Sequence, residues 1–295
     1  MKRDKFFSPW LFLILPLLLY AIWVVIPAFY TFFLSLTRYD GLLSPEFIGL
    51  ANYERLFSHD TFYISLLNNL RWVVVFLIVP VTMGLFLAIL LSKKIPGARL
   101  FKALIYSPMV LAPVVIGLIW TWIYSPRSGL LNHTLTLVGL QTLTRGWLSD
   151  PDIAIYAIIF AGVWRHTGYV MLIYLAGLTS IPPDLIEAAR IDGASAWQRF
   201  RHIIFPLLKP TTTIVIVITM IESLRSFDFV NIMTDGGPFR QTEVLANFMY
   251  KEAFARYNMG YGASIAVILF LIMVIFIFIY VIQRREEYGG GEKVV

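Results

Sequence analysis

Four stretches of this chain, residues 6–37, 72–92, 103–126 and 257–283, contain no Asp, Glu, Lys or Arg. A helix needs about 20 largely apolar residues to cross the hydrocarbon core of a bilayer, so each stretch is long enough to span one. Two further apolar stretches, residues 153–177 and 210–230, are interrupted by Arg165 and by Glu222, Arg225 and Asp228, yet their flanks are too hydrophobic for loops. The expectation is an all-α membrane protein of six transmembrane helices, with spans at about residues 9–37, 72–92, 103–126, 153–177, 210–230 and 262–283. Residues 1–8 would form a short cytoplasmic N-terminus and residues 284–295 a flexible cytoplasmic tail, with the six-span transmembrane domain at 9–283.

Composition excludes the usual soluble alternatives. The chain of 295 residues is 58% hydrophobic and 14% charged, where globular proteins run near 45–50% and about 25%. That much apolar surface cannot be hidden in one globule of this size, and it is incompatible with disorder. The net charge of +6 would suggest nucleic acid on a soluble chain, but here the charges sit between apolar spans. The absence of Cys excludes thiolate metal sites and cysteine nucleophiles, and His59, His133, His166 and His202 lack ligand spacing, so no metal and no bound cofactor is expected. Lys2, Arg3 and Lys5 precede the first apolar run as in a secretion signal, but the run is too long and no small-residue cleavage site follows it, so it is expected to remain as an anchor.

Orientation follows from where the cations cluster. With the N-terminus inside, the cytoplasmic segments hold Lys2, Arg3 and Lys5, then Lys93, Lys94, Arg99 and Lys102, then Arg190, Arg199, Arg201 and Lys209, then Arg284, Arg285 and Lys293. The outer segments hold the more scattered Arg38, Arg55, Arg71, Arg127, Arg145, Arg240, Lys251 and Arg256. Cytoplasmic loops carry the excess of Lys and Arg, which places both termini inside. Prolines 16, 27, 80, 108 and 113 fall within spans; packed neighbours tolerate this and kinked helices are expected.

Between the fourth and fifth spans, residues 181–206 are too polar to cross and too patterned to be slack. Pro182 and Pro183 suit a helix start, and Gly193 suits the left-handed residue that ends one. Ser195 is placed to cap a second helix whose apolar stripe is Trp197, Phe200, Ile203 and Ile204, closed by Pro206.

This loop resembles that of the membrane subunits of ATP-binding-cassette importers, which reads Glu-Ala-Ala, three residues, Gly, nine residues, Ile, any residue, Leu, Pro. Glu187, Ala188, Ala189, Gly193, Ile203 and Pro206 fall in register, with Phe205 in place of Leu. Gly49-Leu-Ala-Asn-Tyr-Glu-Arg-Leu-Phe57, Leu175-Ala-Gly-Leu-Thr-Ser-Ile-Pro182, and Thr234-Asp-Gly-Gly-Pro238 with Thr242 look like the sugar-importing branch of MalF, UgpA and LacF type. The resemblance implies a type I importer permease (MetI-like) fold with a cytoplasmic coupling helix that docks on an ATPase, assigning that role to Glu187, Ala188, Ala189, Asp192, Gly193 and Ala194, with Pro206 closing the loop. It implies as partners a second homologous permease, two ATP-binding subunits carrying ATP and Mg, and an extracytoplasmic solute-binding protein, in a prokaryotic cytoplasmic membrane. No phosphate-binding Gly-rich loop ending in Gly-Lys-Ser/Thr occurs in the chain, so ATP hydrolysis would belong to a partner and the chain itself is no enzyme. The alternative occupant of the loop's surface is anionic lipid, on which an amphipathic helix can lie.

A charge near the bilayer centre costs roughly 2.5–3.5 kcal/mol on insertion scales, so Arg165 and Glu222 need a reason to be there. Gly162, Arg165, His166 and Tyr169 share one helical face, and Thr219, Glu222, Ser223 and Ser226 share another. The two stripes are expected to face one cavity at mid-depth, where hydroxyls of a sugar would meet Arg165, His166, Glu222 and Ser223 while Tyr169 or Trp164 covers an apolar sugar face. Glycerol-3-phosphate or another polyol is the alternative solute. A plain Arg165–Glu222 ion pair that only orients the helices is the alternative role. Arg225 and Asp228 are read as interfacial or gate residues. An ion-coupled secondary transporter relaying protons through Arg165, Glu222 and Asp228 would explain the charges but not the loop. An intramembrane hydrolase pairing His166 with Ser223 would lack a nucleophile turn and an oxyanion site.

Overall fold

Prolines and charged residues set where the long helices bend. The computed structural model describes residues 8–93 and 95–289; Lys2, Arg3, Lys5, Lys94 and Lys293, which carried part of the orientation argument, lie outside the described residues. Along the chain, α1 (Ser8–Tyr20) passes through a π-helical turn at Ala21–Val25 into α2 (Ile26–Ser35). Pro27 has no N–H for the carbonyl four residues back, and the turn answers this by widening, with the Ile26 N–H reaching Ala21. A short antiparallel ladder of β1 (Thr37–Arg38) and β2 (Glu46–Phe47) follows, a departure from the all-helical expectation. Then come α3 (Ala51–Phe57), α4 (Asp60–Ser92), α5 (Ala98–Val110), α6 (Pro113–Ile123), α7 (Leu130–Leu137) and α8 (Ala154–Thr179). The chain continues through α9 (Pro183–Ile191), α10 (Ala196–Arg199), α11 (Phe205–Leu207), α12 (Lys209–Leu224), α13 (Phe227–Met233), α14 (Leu245–Tyr250) and α15 (Met259–Gly289).

Four helical stretches are long and apolar enough to cross a membrane: Phe12–Ser35, Asp60–Ser92, Ala154–Thr179 and Met259–Phe278. Two bent pairs raise the number to as many as six if each is one span, Ala98–Val110 with Pro113–Ile123 at 102° and Ala196–Leu207 with Lys209–Met233 at 67°. The third stretch, expected as one kinked crossing at 103–126, is therefore broken at Leu111 and Ala112, both extended. The second span, expected at 72–92, begins as a helix at Asp60, with Asp60 in the first turn. The last helix, expected to stop at 283, runs to Gly289.

The described residues divide into a terminal unit, residues up to 62 with those from 248 onward, and a central unit of residues 63–247. In the terminal unit α2 packs along α15, with Phe32 edge-on to Phe270 at 5.8 Å. Asn52 of α3 donates to the carbonyls of Ser35 and Thr37 at 2.9 and 2.8 Å, satisfying the chain where α2 ends.

In the central unit α8 is the axial element, buried along most of its length. Its core face meets Trp72 and Phe76 of α4, Ile116 of α6 and Phe229, Val230 and Met233 of α13 in one cluster. A second cluster joins Ala88 and Leu91 of α4 to Val170, Met171, Tyr174 and Leu175 of α8, with Val215 of α12. Close approach explains the small residues on α8: a Cβ on Gly168 would strike the Ile105 carbonyl oxygen of α5 and lie 2.8 Å from the Tyr106 Cα.

Candidate functional site

The breaks in α5–α6 and α12–α13 meet at α8. Gly162, Arg165 and His166 of α8 line a cavity of about 210 Å³ together with Glu222, Arg225, Ser226, Asp228 and Phe229 from the second break, Pro113 from the first, and Trp72 and Phe76 of α4. Its charged lining is balanced, Arg165 and Arg225 against Glu222 and Asp228.

Arg165 does not pair with Glu222. Its guanidinium donates instead to backbone carbonyls at the first break, Nε to Leu111 at 3.3 Å and Nη2 to Met109 at 3.5 Å. The cause lies in the sequence. Pro113 has no N–H to give the Met109 carbonyl four residues back, and Leu111 precedes the first helical turn of α6, so both acceptors are left for a side chain to satisfy. The alternative role, a plain Arg165–Glu222 ion pair, does not form: the carbonyls at the break are the nearer partners.

His166 is 2% exposed and its Nε2 shares a 3.0 Å hydrogen bond with Thr219 Oγ1, which ties α8 to α12. Its ring stacks on Phe76, with centroids 5.5 Å apart. Ser223 donates to the Met220 carbonyl at 2.7 Å on its own helix, so the His166–Ser223 hydrolase pairing does not form. Among the described residues, the buried side-chain atoms without a hydrogen-bond partner include His166 Nδ1, Ser226 Oγ and Trp72 Nε1. All three residues line this cavity. These three atoms have almost no accessible surface and lie within the cavity wall, where an unpaired buried polar atom costs about 1–3 kcal/mol.

Of the sequence-predicted lining, Gly162, Arg165, His166, Glu222 and Ser226 reach the cavity. Thr219 and Ser223 stand behind it, both fully buried. Tyr169 contacts the His166 ring at 5.8 Å but does not line the cavity, and Trp164 points elsewhere, 41% exposed and edge-on to Trp120 at 5.7 Å. The sequence reading missed Trp72, Phe76, Pro113 and Phe229, and gave Arg225 and Asp228 to the interface or a gate, whereas both line the cavity. Arg225 and Asp228 carried a signal in hindsight, since they bracket the helix break at Arg225 and Ser226. Trp72 and Phe76 carried none, being apolar residues at ordinary helical spacing.

The loop after α8 folds as two helices. Gly193 ends α9 at φ +81° in the left-handed region, and the Ala194 N–H returns to the Ala189 carbonyl at 2.9 Å. Ser195 opens α10 with a reciprocal cap: its Oγ accepts from the Gln198 N–H at 3.2 Å while its own N–H donates to Gln198 Oε1 at 2.7 Å. Arg199 donates back to the Ala194 carbonyl. Pro206 does not close this helix as expected. A π-helical turn at Phe200–Ile204, with the Phe205 N–H reaching Phe200, carries the helix through Pro206 to Leu207, and the bend falls at Leu208. Glu187 and Ala188 of α9 are exposed, as are Asp192 and Gly193 after it, while Ala189 and Ala194 are half-buried. Ile191, 85% exposed, and Trp197, 64% exposed, stand beside them as uncovered apolar side chains.

Residues 80–286 match the family of binding-protein-dependent transport system inner membrane components. The chain is 44% identical over 260 residues to a probable ABC transporter permease protein of Pyrococcus horikoshii, covering 88% of this chain and 89% of that one. It is 34% identical over 291 residues to AmyD of Thermoanaerobacterium thermosulfurigenes, described as a probable starch degradation products transport system permease protein, covering 97% and 98%. The fold is similar to that in a crystal structure of a bacterial ABC transporter that imports the acidic polysaccharide alginate, with a TM-score of 0.83, 20% identity and 95% of each chain covered.

Proposed function

The chain belongs to the family of binding-protein-dependent transport system inner membrane components, and from that premise we propose that it is the permease subunit of an ATP-driven importer that moves a carbohydrate by alternating access. The observation that carries the solute path is the cavity between the two helix breaks, whose lining sets Arg165 and Arg225 against Glu222 and Asp228. A neutral, hydroxyl-rich solute can hydrogen-bond to such groups without burying a net charge. The kinship with AmyD, described as serving starch degradation products, supports the same class. Arg165 and Glu222 are the charged contacts in this reading, Gly162 leaves room, Thr219 and Tyr169 hold the His166 ring in place, and Ser223 is spent on its own helix. Irregular backbone at membrane depth is tolerated where it lines such a cavity.

In this reading the chain has six spans with both termini cytoplasmic, and the loop of Glu187–Gly193 lies on the inner face of a prokaryotic cytoplasmic membrane. There it couples to one of two ATP-binding subunits, which hold ATP and Mg. Exposed Glu187, Ile191 and Trp197 supply the kind of surface a partner cleft covers. Closure of the ATPases pushes the loop, and the bend at Leu208 passes the motion into α12 and the cavity wall. A second permease completes the path and a solute-binding protein delivers the sugar.

The test is uptake by proteoliposomes holding the full complex, supplied with radiolabelled maltose and related starch-derived sugars. ATP-dependent accumulation that disappears in Arg165→Ala and Glu222→Ala, with assembly intact, supports the reading; undiminished uptake in both variants removes the cavity from the path.

A further inference from the structure

A groove of about 560 Å³ lies in the central unit between the end of α6, α7 and the start of α8. Trp120 and Tyr124 from the α6 end, Trp147 from the turn before α8, and Tyr156 and Phe160 of α8 supply its walls, with Thr134 of α7. Trp and Tyr settle at the level of the lipid headgroups, so this set of rings marks one membrane end of α6 and α8.

The surface of the groove is almost wholly carbon. Polar atoms of the wall are already engaged: the Tyr124 hydroxyl donates to the Ala157 carbonyl at 3.1 Å, the Trp147 indole N–H to Asn132 Oδ1 at 2.8 Å, and the Thr134 hydroxyl to the Leu130 carbonyl at 2.8 Å. Trp120 Nε1 is buried within the wall. A sugar would find little to bond here, whereas a hydrocarbon tail gives up nothing on entering. A transmembrane helix is about 10–12 Å across with its side chains and takes roughly 500 Å³ for each 5.4 Å turn, so the groove would seat about one turn of it. A flexible lipid tail matches the space better.

The mouth of the groove is cationic, and one buried amide makes it so. Asn132 Nδ2 donates to the carbonyls of Pro126 and Arg145 at 3.2 and 3.0 Å, and its Oδ1 accepts from the Arg145 N–H at 3.4 Å as well as from Trp147. The backbone next to Arg127 and that of Arg145 are thereby drawn together beside Leu131, which also lines the groove. Arg127 and Arg145 are exposed, and neither has an ion-pair partner among the described residues. Asp150 accepts from the Asp152 N–H at 3.1 Å, and neither of these carboxylates pairs with the two arginines. Unpaired cations held near each other repel, and an anion between them removes that cost.

We propose that this groove binds one anionic phospholipid, its tail along Trp120, Tyr124 and Phe160 and its phosphate at Arg127 and Arg145. Bound there, the lipid ties the segment of residues 126–152 to α6 and α8. The site is separate from the solute path and rests only on the chain being a membrane component.

The test uses the full complex in phosphatidylcholine nanodiscs doped with phosphatidylglycerol that carries a diazirine in its tail, with adducts mapped by mass spectrometry after irradiation. Adducts are expected on peptides within residues 120–160, and unlabelled phosphatidylglycerol should compete about tenfold better than phosphatidylcholine. Replacing both cations, Arg127→Gln with Arg145→Gln, should lower this labelling about twentyfold, near fivefold for each charge at the membrane surface. Thr134→Phe fills the groove from an exposed position and should abolish the labelling. Equal competition by the two lipids, or labelling that the arginine variant leaves unchanged, means bulk lipid only and overturns the site. Absence of adducts overturns it as well. The chain has no Cys, so crosslinking of Thr134→Cys to the other permease would then identify the groove as a protein interface.

Discussion

Arg165 Nη2 donates to the Met109 carbonyl at 3.5 Å, the acceptor that Pro113 leaves without its helical donor. Arginine here serves the backbone of the broken helix as well as the cavity. Replacing it by Ala should expose two unsatisfied carbonyls, at about 1–3 kcal/mol in stability, and lower uptake at least tenfold, roughly the effect of 1.4 kcal/mol. Scanning fluorimetry and transport assays on this variant decide it; unchanged stability means the carbonyl-capping role is wrong.

The unpartnered Ser226 hydroxyl makes a prediction of opposite sign. Ser226→Ala removes a group that has no hydrogen-bond partner, so melting temperature should stay level or rise. Scanning fluorimetry checks this, and a drop in melting temperature would show that the hydroxyl is a structural contact.

What could be read from the sequence is what local chemistry decides. Charge-free runs located the apolar helices, and Gly193 with Ser195 announced a left-handed stop and a cap because both signals lie within a few residues of their effect. The two breaks were not legible. A proline such as Pro113 produces anything from a mild kink to a 102° bend depending on which neighbours accept the freed carbonyls, and Arg165 lies more than fifty positions away. Trp72 and Phe229 reach one cavity only through packing. Pairings of that kind leave no periodic trace. Pro206 misled in the other direction, since the π-helical turn at Phe200–Ile204 absorbs the missing donor and the helix continues.

Gly168 should be the least replaceable position of α8. An added Cβ would meet the Ile105 carbonyl oxygen and the Tyr106 Cα at 2.8 Å, which is backbone of α5 that cannot swing aside. Gly168→Ala should cost on the order of 3 kcal/mol by overpacking and depress the yield of folded protein. Gly162→Ala, whose Cβ would press on the Trp72 ring at 2.7 Å, should be milder because a side chain can shift. Yields of detergent-stable protein for the two variants give the comparison, and equal tolerance would contradict the packing of α5 on α8.

Gly193 separates folding from coupling. A Cβ there meets nothing within 4 Å, so Gly193→Ala carries only the backbone penalty of φ +81°, about 1 kcal/mol. Ser195→Ala removes the α10 cap for a similar loss of about 1 kcal/mol. Glu187→Ala sits on an exposed face of α9 and should leave the melting temperature untouched. If the loop transmits ATPase motion, Gly193→Ala and Glu187→Ala should both cut solute-stimulated ATP hydrolysis and uptake by about tenfold or more, whereas Ser195→Ala, which perturbs the fold of the loop as much as Gly193→Ala does, should cost less because it leaves the α9 surface in place. ATP hydrolysis by the reconstituted complex measures this directly. An ordering that follows stability loss, with Glu187→Ala indistinguishable from wild type, would mean that the loop is a structural connector and that coupling runs through another surface.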